Sequence, residues 1–395
     1  MKAQKKYKVL FVHNKYGIYS GEEAMIKKIS EILSENGHEV CFYYKDSSTI
    51  SDIKTKFFAF FSAIYSQKSK KELKLIISSF QPDIVQIQNL YPLISPSILP
   101  MLESMNIPVV MRLSNYRLIC PNGLFLSHGK LCESCKDGKE YYCVLKNCEK
   151  NILKSINYAL RNAVARKFGF YKKNVTRYYS QTDFQRKLIS SGGYNIDSID
   201  LIPNTAPLPT SGVTPSVGDF VGFVGRMSSE KGIEVFLDAA RQCPDILFKV
   251  AGNQGEYDKT HNIPDNVILM GHLDRDSLNV FYEQCKFIVV PSICYEGFPG
   301  VIIEAMSHSK PVIASNIGGL IEIVEHQKNG LIFKTGNSES LKNAIQSLWS
   351  DNIKVVVFGH SGYKKVKENY NEKLYYDRLI SSYRKAIDDI KRTRK

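Results

Sequence analysis

Long apolar runs are missing from this chain of 395 residues. No stretch approaches the about eighteen apolar residues that a membrane-spanning helix requires, and the opening residues MKAQKKYKVLFVHN do not resemble a signal peptide. These two absences predict a cytoplasmic protein, either free or peripheral on the inner face of the plasma membrane. The Gly-x-Gly-x-x-Gly pattern of dinucleotide-binding folds is absent as well, so an NAD-dependent enzyme loses its main support.

Acidic residues are scarce relative to basic ones. The chain has 39 aspartates and glutamates against 53 lysines and arginines, and its net charge of +14 predicts an anionic partner: nucleotide phosphates, an acidic lipid surface or nucleic acid. One basic segment, residues 52–81, interleaves lysines with Phe57, Phe58, Phe60 and Phe61. This mixture is typical of an amphipathic element that lies on an anionic membrane surface. The alternative is a helix that packs its apolar face on the core and exposes its lysines.

The nine cysteines are not expected to form a disulfide framework, because the chain is predicted to stay in the cytoplasm. Five of them fall within residues 120–148, beginning with Cys120. Reduced thiols in a loop, or an oxidisable pair, would account for them. The short Cys-x2-Cys spacing followed by two further thiols instead predicts a structural zinc site. The predicted ligands are Cys132, Cys135, Cys143 and Cys148.

The chain alternates between strand and helix patterns twice, on either side of a proline-rich segment at 201–219. The sequence therefore predicts an α/β protein with two doubly wound, Rossmann-like parallel-sheet domains that face a central cleft. Its predicted parts are a first domain at 1–207 with a cysteine-rich insert at 120–148, a second domain at 216–375, and a C-terminal helix with a basic tail at 376–395. We expect that helix to cross back to the first domain.

Charged and glycine-rich loops follow the predicted strands of the second domain. Arg226 and Lys231 lie between a strand and a helix, where two cations beside a helix N-terminus suit a diphosphate. In EGFPGVIIEA, Glu296 precedes a turn and Glu304 lies about one helical turn beyond it, a spacing that suits hydroxyls of a sugar and a ribose. Together these loops predict a site for a nucleotide-sugar diphosphate.

Two further motifs complete the second domain. Gly318 and Gly319 follow another predicted strand and would expose backbone amides there. The motif Asp274-Arg275-Asp276 has the form of a metal-binding pair. We interpret it instead as the N-cap and first turn of a helix at 275–285, because aspartate is favoured at both positions.

The motifs from GRMSSEKG to EGFPGVIIEAMSHSKPVIASNIGGLIEIVEHQKNGLIF resemble the retaining glycosyltransferases of family 4, which have the two-domain GT-B fold. The resemblance covers essentially the whole chain. It implies that cationic side chains stabilise the departing nucleoside diphosphate, so that no metal cofactor is required for catalysis. The implied catalytic residues are Glu296, Arg226 and Lys231, and the implied donor-binding residues are Glu304, Phe298, Pro299, Gly300, Gly318, Gly319 and Gly21.

The resemblance extends into the first domain with one departure. Many relatives read His-Asn-Tyr-Arg where this chain has Ser114 at the histidine position, followed at the arginine position by Arg117. A serine hydroxyl can form hydrogen bonds, but unlike histidine it cannot take up a proton and become charged near neutral pH. The predicted acceptor side consists of Ser114 and Arg117 together with His13 and Asn14, which follow the first strand.

The sequence thus predicts a retaining glycosyltransferase that moves a sugar from a nucleoside diphosphate, UDP- or GDP-linked, to a glycan or polyprenyl-linked saccharide in cell-surface polysaccharide biosynthesis. An anionic membrane surface is a further predicted partner. Two alternatives keep the same architecture: a nucleotide-sugar epimerase, and a catalytically silent protein that binds nucleotide-sugars. A nucleic-acid-binding protein would fit the charge, but it leaves Glu296 and Glu304 unexplained and lacks a known binding module.

Overall fold

A computed structural model describes residues 5–17, 21–209, 217–253 and 262–393. The chain divides into two compact units. The first comprises Met1–Gly123, Glu133–Ile202 and Tyr376–Lys395, and the second comprises Leu124–Cys132 and Pro203–Tyr375. The short segment Leu124–Cys132 comes from the middle of the predicted cysteine-rich insert, yet it groups with the second unit.

The first unit is built on a six-stranded sheet in the order β2-β1-β3-β4-β7-β8, in which every pairing is parallel. Three of its central strands, at 84–87, 109–112 and 177–180, are buried along their whole length, as expected for a parallel sheet covered on both faces. A separate antiparallel pair, β5 and β6, lies in the segment that groups with the second unit. The strands are β1 (Lys8–Lys15), β2 (Glu39–Asp46), β3 (Ile84–Ile87), β4 (Val109–Arg112), β5 (Leu126–Ser127), β6 (Lys130–Leu131), β7 (Arg177–Ser180) and β8 (Ile199–Leu201).

Side chains cap several helices of the first unit: Asp52, Ser66 and Asn151 each accept a hydrogen bond from a backbone amide in the first turn. The first helix of the unit buries Ile26, Ile29, Ile32 and Leu33, which lie on one side at helical spacing. The described helices are α1 (Gly21–Glu35), α2 (Ile53–Ser62), α3 (Gln67–Phe80), α4 (Leu99–Ser104), α5 (Tyr141–Leu145), α6 (Ile152–Lys167), α7 (Phe170–Asn174), α8 (Asp183–Ser191) and the C-terminal helix (Glu372–Thr393).

The C-terminal helix is attached to the first unit by charged and aromatic contacts. Arg177 on β7 donates two hydrogen bonds to Asp200 at 2.9 and 3.0 Å and a third to Asp389 of the helix at 3.0 Å. Lys385 of the helix donates to the same Asp200 carboxylate at 2.7 Å. The hydroxyl of Tyr376 lies 3.0 Å from Nε2 of the His38 ring. The predicted return of this helix to the first domain is confirmed.

The second unit contains another six-stranded parallel sheet, in the order β11-β10-β9-β12-β13-β14. Counted from its own first strand, this order is 3-2-1-4-5-6, the Rossmann order. Both sheets therefore confirm the predicted α/β class with two Rossmann-like parallel-sheet domains. The strands are β9 (Phe220–Val224), β10 (Phe248–Ala251), β11 (Val267–Gly271), β12 (Cys285–Val290), β13 (Val312–Ser315) and β14 (Gly330–Phe333).

The helices of the second unit pack on its sheet through two apolar clusters that contain Phe236, Phe248, Ile302 and Met306. None of the described helices combines the length and apolar character that crossing a bilayer requires. The described helices of this unit are α9 (Ile233–Arg241), α10 (Arg275–Gln284), α11 (Gly300–Ser307), α12 (Leu320–Ile323), α13 (Ser338–Trp349) and α14 (Asn352–Asn369).

Candidate active site

The strand order of the second unit determines where a ligand can enter its sheet. β9 and β12 are neighbours although about sixty residues separate them, and the chain leaves them toward opposite edges of the sheet. Ligands of open α/β sheets bind at such a switch point, outside the carboxyl ends of the strands. Residues 225–232 follow β9 and residues 291–299 follow β12, so these two loops border the switch point.

The two loops approach each other at Gly232. This glycine has φ +73°, and a Cβ atom there would lie 1.9 Å from the carbonyl oxygen of Pro291. The amide of Ile293 also donates a hydrogen bond to the carbonyl of Glu230 at 3.1 Å. Because only glycine allows both the left-handed backbone and this close approach, Gly232 holds the loop after β9 against the loop after β12.

A lysine–glutamate pair bridges the two loops. Nζ of Lys231 donates to Oε1 of Glu296 at 2.7 Å, and the hydroxyl of Ser292 donates to the same oxygen at 2.7 Å. Burial alone would raise the pKa of Glu296, but the charge and hydrogen bond of Lys231 outweigh it and lower that pKa. The same pair raises the pKa of Lys231 against the opposing effect of burial. Both groups are therefore charged near neutral pH.

Arg226 lies on the same loop and is mostly exposed. Its Nη2 atom contacts Oε1 of Glu230 at 3.1 Å, four residues along the chain. Exposed ion pairs of this kind contribute about 0–1 kcal/mol, so an anionic ligand can compete for the guanidinium group. Lys231 is held more firmly, with 29% of its side chain exposed against 68% for Arg226.

Glu304 is the carboxylate inside the apolar helix α11, and its partners come from α10. Its Oε1 accepts from Nη1 of Arg275 at 3.2 Å, and its Oε2 accepts from the hydroxyl of Tyr282 at 3.0 Å. The Tyr282 ring is buried and stacks on the ring of His308, with centroids 5.3 Å apart. Nδ1 of His308 donates to the carbonyl of Glu304 at 2.8 Å, and burial lowers the pKa of this histidine.

Sequence reasoning missed Arg275 and Tyr282 as partners of Glu304. Their helix was predicted correctly, and the interpretation of Asp274 as its N-cap is confirmed, since its side chain accepts from the amide of Ser277 at 2.8 Å. The available signal was the charge of Arg275 between two acidic residues. That signal carried no information about which carboxylate the arginine meets.

The turn before α11 has a buried aromatic side chain and no side-chain cap for the helix that it starts. Phe298 packs in the apolar core, with its ring 5.3 Å from that of Tyr370, and its carbonyl accepts from Asn204 at 3.2 Å. Pro299 is the N-cap residue of α11 and provides no side-chain hydrogen bond to the helix amides that begin at Gly300. A similar turn follows β13, where Gly318 has φ +55° and Gly319 precedes α12 without a side-chain cap.

In the first unit, the carboxyl end of β1 carries His13 and Asn14, and both side chains are buried. The Asn14 amide donates to Oγ of Ser47 at 2.7 Å and accepts from the amide of Leu93 at 2.8 Å, so it ties three loops together. Nε2 of His13 lies 3.5 Å from the Glu23 carboxylate. These contacts give both residues a structural role in the unit.

Gly21, the first residue of α1, is exposed, and a Cβ atom there would meet nothing within 4 Å. Packing therefore does not require a glycine at this position. The predicted donor role of Gly21 stays a prediction.

Ser114 and Arg117 line a small pocket of about 20 Å³ at the ends of β3 and β4, which has room for about one water molecule. Nη1 of Arg117 donates to the hydroxyl oxygen of Tyr16 at 3.0 Å and to Oδ1 of Asn89 at 3.3 Å. Burial opposes the charge of Arg117, but the neighbouring Tyr16 and Glu22 outweigh it and raise its pKa. The pocket is therefore lined by a permanent cation. The sequence predicted Arg117 as a site residue but did not predict the residues that it contacts.

The cysteines of the insert divide between the two units. Cys132 groups with the second unit, whereas Cys135, Cys143 and Cys148 share a small cluster in the first. A hydrogen bond with Cys148, and then burial, raises the pKa of the Cys143 thiol. Among the described residues, no three histidine, cysteine, aspartate or glutamate side chains are placed to hold a metal ion. The zinc site stays a prediction, which elemental analysis of the purified chain would test.

Comparison with known families finds a match within the second unit. The model of the family described as Glycosyl transferases group 1 matches residues 212–365. An uncharacterized glycosyltransferase of Methanocaldococcus jannaschii is 32% identical over 173 residues, which are 42% of this chain and 47% of the relative. The capsular polysaccharide biosynthesis glycosyltransferase CapM of Staphylococcus aureus is 28% identical over 182 residues, which are 41% and 45% of the two chains. The match thus spans about half the length of these relatives.

A solved structure resembles the whole chain. The HepE protein of Anabaena, solved in complex with UDP, superimposes with a TM-score of 0.66 over 95% of this chain and 99% of its own, at 16% identity. This likeness confirms the GT-B fold class predicted from the sequence. The family match confirms the predicted resemblance to group 1 glycosyl transferases for the region it covers.

Proposed function

Because residues 212–365 match the glycosyl transferases of group 1, we propose that this protein is a retaining glycosyltransferase of family 4. It would move a sugar from a nucleoside diphosphate to a glycan acceptor. The observation that carries the proposal is the Lys231–Glu296 pair at the switch point between β9 and β12, where a fixed cation and a carboxylate lie side by side. Such a pair suits a ligand that presents both phosphates and sugar hydroxyls.

In the proposed donor complex, Lys231 and Arg226 bind the diphosphate. Breaking the bond between the sugar and the diphosphate builds negative charge on the leaving oxygen, and cations already in position stabilise that charge. Arg226 would exchange its weak pair with Glu230 for the phosphates. With two side-chain cations in these positions, the reaction would not need a divalent metal ion. The UDP bound by HepE is consistent with a nucleotide donor.

The two glutamates would orient the donor. Glu296 accepts hydrogen bonds from the donor sugar, and its contacts with Lys231 and Ser292 fix the orientation of its carboxylate. Glu304 accepts hydrogen bonds from both hydroxyls of the ribose. These would replace the hydrogen bonds that it accepts from Arg275 and Tyr282 in the structure. The amides at the start of α11 and after β13 would approach the phosphates, because neither helix has a side-chain cap there.

The transfer step follows from the resemblance to retaining enzymes. The bond from the anomeric carbon to the diphosphate oxygen breaks, and a bond from that carbon to the acceptor oxygen forms on the same face. The acceptor hydroxyl loses its proton to the departing phosphate. This route does not require a proton-carrying side chain, so Ser114 at the usual histidine position is compatible with it.

The proposed acceptor is a glycan on a polyprenyl carrier in cell-surface polysaccharide biosynthesis. This assignment rests on the capsular polysaccharide relative CapM, together with two arginines at one end of the sheet in the first unit. Arg112 donates to the Ser114 hydroxyl at 2.8 Å, and Arg117 lines the same pocket. The pocket itself is too small for a phosphate group, but the two cations give this end of the sheet a positive charge that would favour an acceptor with a phosphate.

The function is tested by titrating the purified chain with UDP-, GDP- and ADP-sugars in a calorimeter, with EDTA present. We expect one class of donor to bind, and its affinity to fall at least tenfold in Lys231→Ala and in Glu304→Ala. Lys328→Ala, an exposed lysine elsewhere in the second unit, should bind like the wild type. Binding only after magnesium is restored would contradict metal-independent catalysis. Failure of all donors with and without magnesium would contradict the function.

A further inference from the structure

Helix α2 buries small side chains and exposes large apolar ones, which is the reverse of an ordinary surface helix. Its buried residues are the small Ala59 and Ser62. Its large apolar residues are exposed: Ile53 at 84%, Phe57 at 67%, Phe58 at 54% and Phe61 at 52%. A helix that packs on a core buries its large apolar side chains, so α2 is built to present them outward.

Phe57, Phe61 and the partly buried Phe60 form one cluster of aromatic rings on α2. The ring centroids of Phe57 and Phe61 are 4.8 Å apart, and those of Phe60 and Phe61 are 5.3 Å apart. A capping box formed by Asp52 and Thr55 fixes the start of the helix. The rings are therefore held on a regular helix. A cluster of this kind on a soluble surface indicates an interaction site.

The neighbouring helix α6 extends the apolar surface. The side-chain amide of Asn157 on α6 donates a hydrogen bond to the carbonyl of Phe60 on α2 at 2.9 Å, which joins the two helices. Leu153, Ile156 and Leu160 occupy positions beside Asn157 at helical spacing, and all three are exposed. We call the exposed apolar residues of α2 and α6 together the α2–α6 face.

Exposed lysines lie on α2 itself and on the helix that follows it. Lys54 and Lys56 lie on α2, and Lys68, Lys71 and Lys74 lie on the following helix α3, all of them exposed. The charges of Lys56 and Lys68 act on the carboxylates of Asp52 and Glu72, whereas no ion pair is found for Lys54, Lys71 or Lys74 within the described ranges. Their charge is therefore available to a partner. A second copy of the chain is a poor partner, because a symmetric interface would bring the lysines of both copies together.

We propose that the α2–α6 face docks on the surface of a bilayer that contains anionic lipids. The phenylalanine, leucine and isoleucine side chains enter the boundary between headgroups and acyl chains, while the lysines contact the anionic headgroups. This surface would place the first unit at the membrane without a spanning helix. The proposal does not depend on transfer activity, since it concerns residues outside the proposed donor site.

The first test is sedimentation of the full chain with vesicles. We expect the wild type to bind vesicles of phosphatidylcholine with 30% phosphatidylglycerol at least tenfold more strongly than pure phosphatidylcholine vesicles. The triple variant Phe57→Ser/Phe58→Ser/Phe61→Ser should lose at least tenfold in partition coefficient, and Lys54→Gln/Lys56→Gln/Lys71→Gln should lose severalfold. The matched control is Ile353→Ser/Val357→Ser, which removes exposed apolar residues of α14 in the second unit and should bind normally.

A second test locates the contact. The sequence contains a single tryptophan, Trp349, so Phe58→Trp in a Trp349→Phe background gives one fluorophore on the face. We expect its emission to shift to the blue on addition of the anionic vesicles, with quenching by brominated lipid. Unchanged emission, or wild-type binding by the triple phenylalanine variant, would overturn the proposal.

Two further measurements separate the possible outcomes. Light scattering measures whether the wild type is a dimer and whether the triple phenylalanine variant is a monomer. If both hold and the wild type does not bind vesicles, the face is an interface between two copies of the chain, and the membrane proposal is overturned. Calorimetry with the donor that the function screen identifies should give wild-type affinity in the triple variant, because α2 lies in the first unit and the proposed donor site in the second. Loss of the donor site would leave vesicle binding unchanged.

Discussion

Nζ of Lys231 and Oε1 of Glu296 are joined at 2.7 Å across two loops that are 65 residues apart in the chain. The pair lies where the sheet of the second unit changes direction, between β9 and β12. Neither loop could hold its charged residue in this position alone. The contact between Gly232 and Pro291 brings the loops together, and the pair with Ser292 then fixes the carboxylate.

The first prediction concerns the pH dependence of this pair. Because Lys231 lowers the pKa of Glu296 in the folded chain, the charged carboxylate stabilises the fold above its unfolded pKa of about 4.3. Glu296→Gln should therefore reduce the free energy of unfolding by about 1–3 kcal/mol at pH 7. The difference in free energy of unfolding between Glu296→Gln and the wild type should shrink as the pH falls from the unfolded pKa through the lower pKa that Glu296 has in the folded chain.

Urea unfolding between pH 3 and pH 7 measures this effect. Glu368→Gln is the matched control, since its exposed carboxylate lies 3.9 Å from Lys364 on the surface of α14. A wild-type advantage over Glu296→Gln that stays constant across this range would contradict the ion pair as its source.

The second prediction separates backbone strain from close packing at two glycines. Gly232 and Gly336 both have φ +73°, but an added Cβ atom would strike the Pro291 carbonyl at Gly232 and meet nothing within 4 Å at Gly336. Gly336→Ala should cost about 1–2 kcal/mol, the penalty of a left-handed backbone. Gly232→Ala should cost about 3–4 kcal/mol because overlap is added. Equal losses in thermal unfolding would show that the loop contact is unimportant.

The third prediction tests the coupling of Tyr282 to Glu304. Tyr282→Phe and Glu304→Met each remove the same hydrogen bond, so their effects on the free energy of unfolding should not add. A double-mutant cycle by urea unfolding should give a coupling energy of about 1 kcal/mol. Combining Tyr282→Phe with Glu339→Met, an exposed glutamate on α13, provides the control, which should be additive. Additivity in both cycles would argue against the bond.

The fourth prediction concerns the attachment of the C-terminal helix. Asp200 is largely buried and accepts hydrogen bonds from Arg177 and Lys385, so Asp200→Asn leaves two cations without their shared partner. It should reduce the free energy of unfolding by about 3–5 kcal/mol. Asp389→Asn weakens a different contact of Arg177, one that is more exposed to solvent, and should cost less than about 1 kcal/mol. Similar losses for both variants would show that Asp200 is not the centre of the attachment.

Local signals predicted much of the fold. The apolar strands, the helix that Asp274 caps and the loop positions of Lys231 and Glu296 all follow from patterns within a few residues. The partners of Glu304 could not be predicted in this way. Arg275 and Tyr282 precede it by 29 and 22 residues, and they reach it only because α10 and α11 pack together.

The segment at 52–81 also shows what local sequence predicts and what only tertiary packing decides. Its composition predicted a basic, aromatic element at the surface, with a core-facing helix as the alternative. Helical spacing defines the faces of α2, but it does not reveal which face meets the rest of the protein. The structure decides this: it buries Ala59 and Ser62 and exposes Phe57, Phe58 and Phe61.

By itself, the sequence determined the succession of strands and helices, the caps and the chemical character of each loop, because these depend on neighbouring residues. Only the tertiary structure decided the strand orders and the pairs Lys231–Glu296 and Tyr282–Glu304. It also decided the outward face of α2. These features depend on residues far apart in the chain, whose contacts form only when whole elements pack against one another.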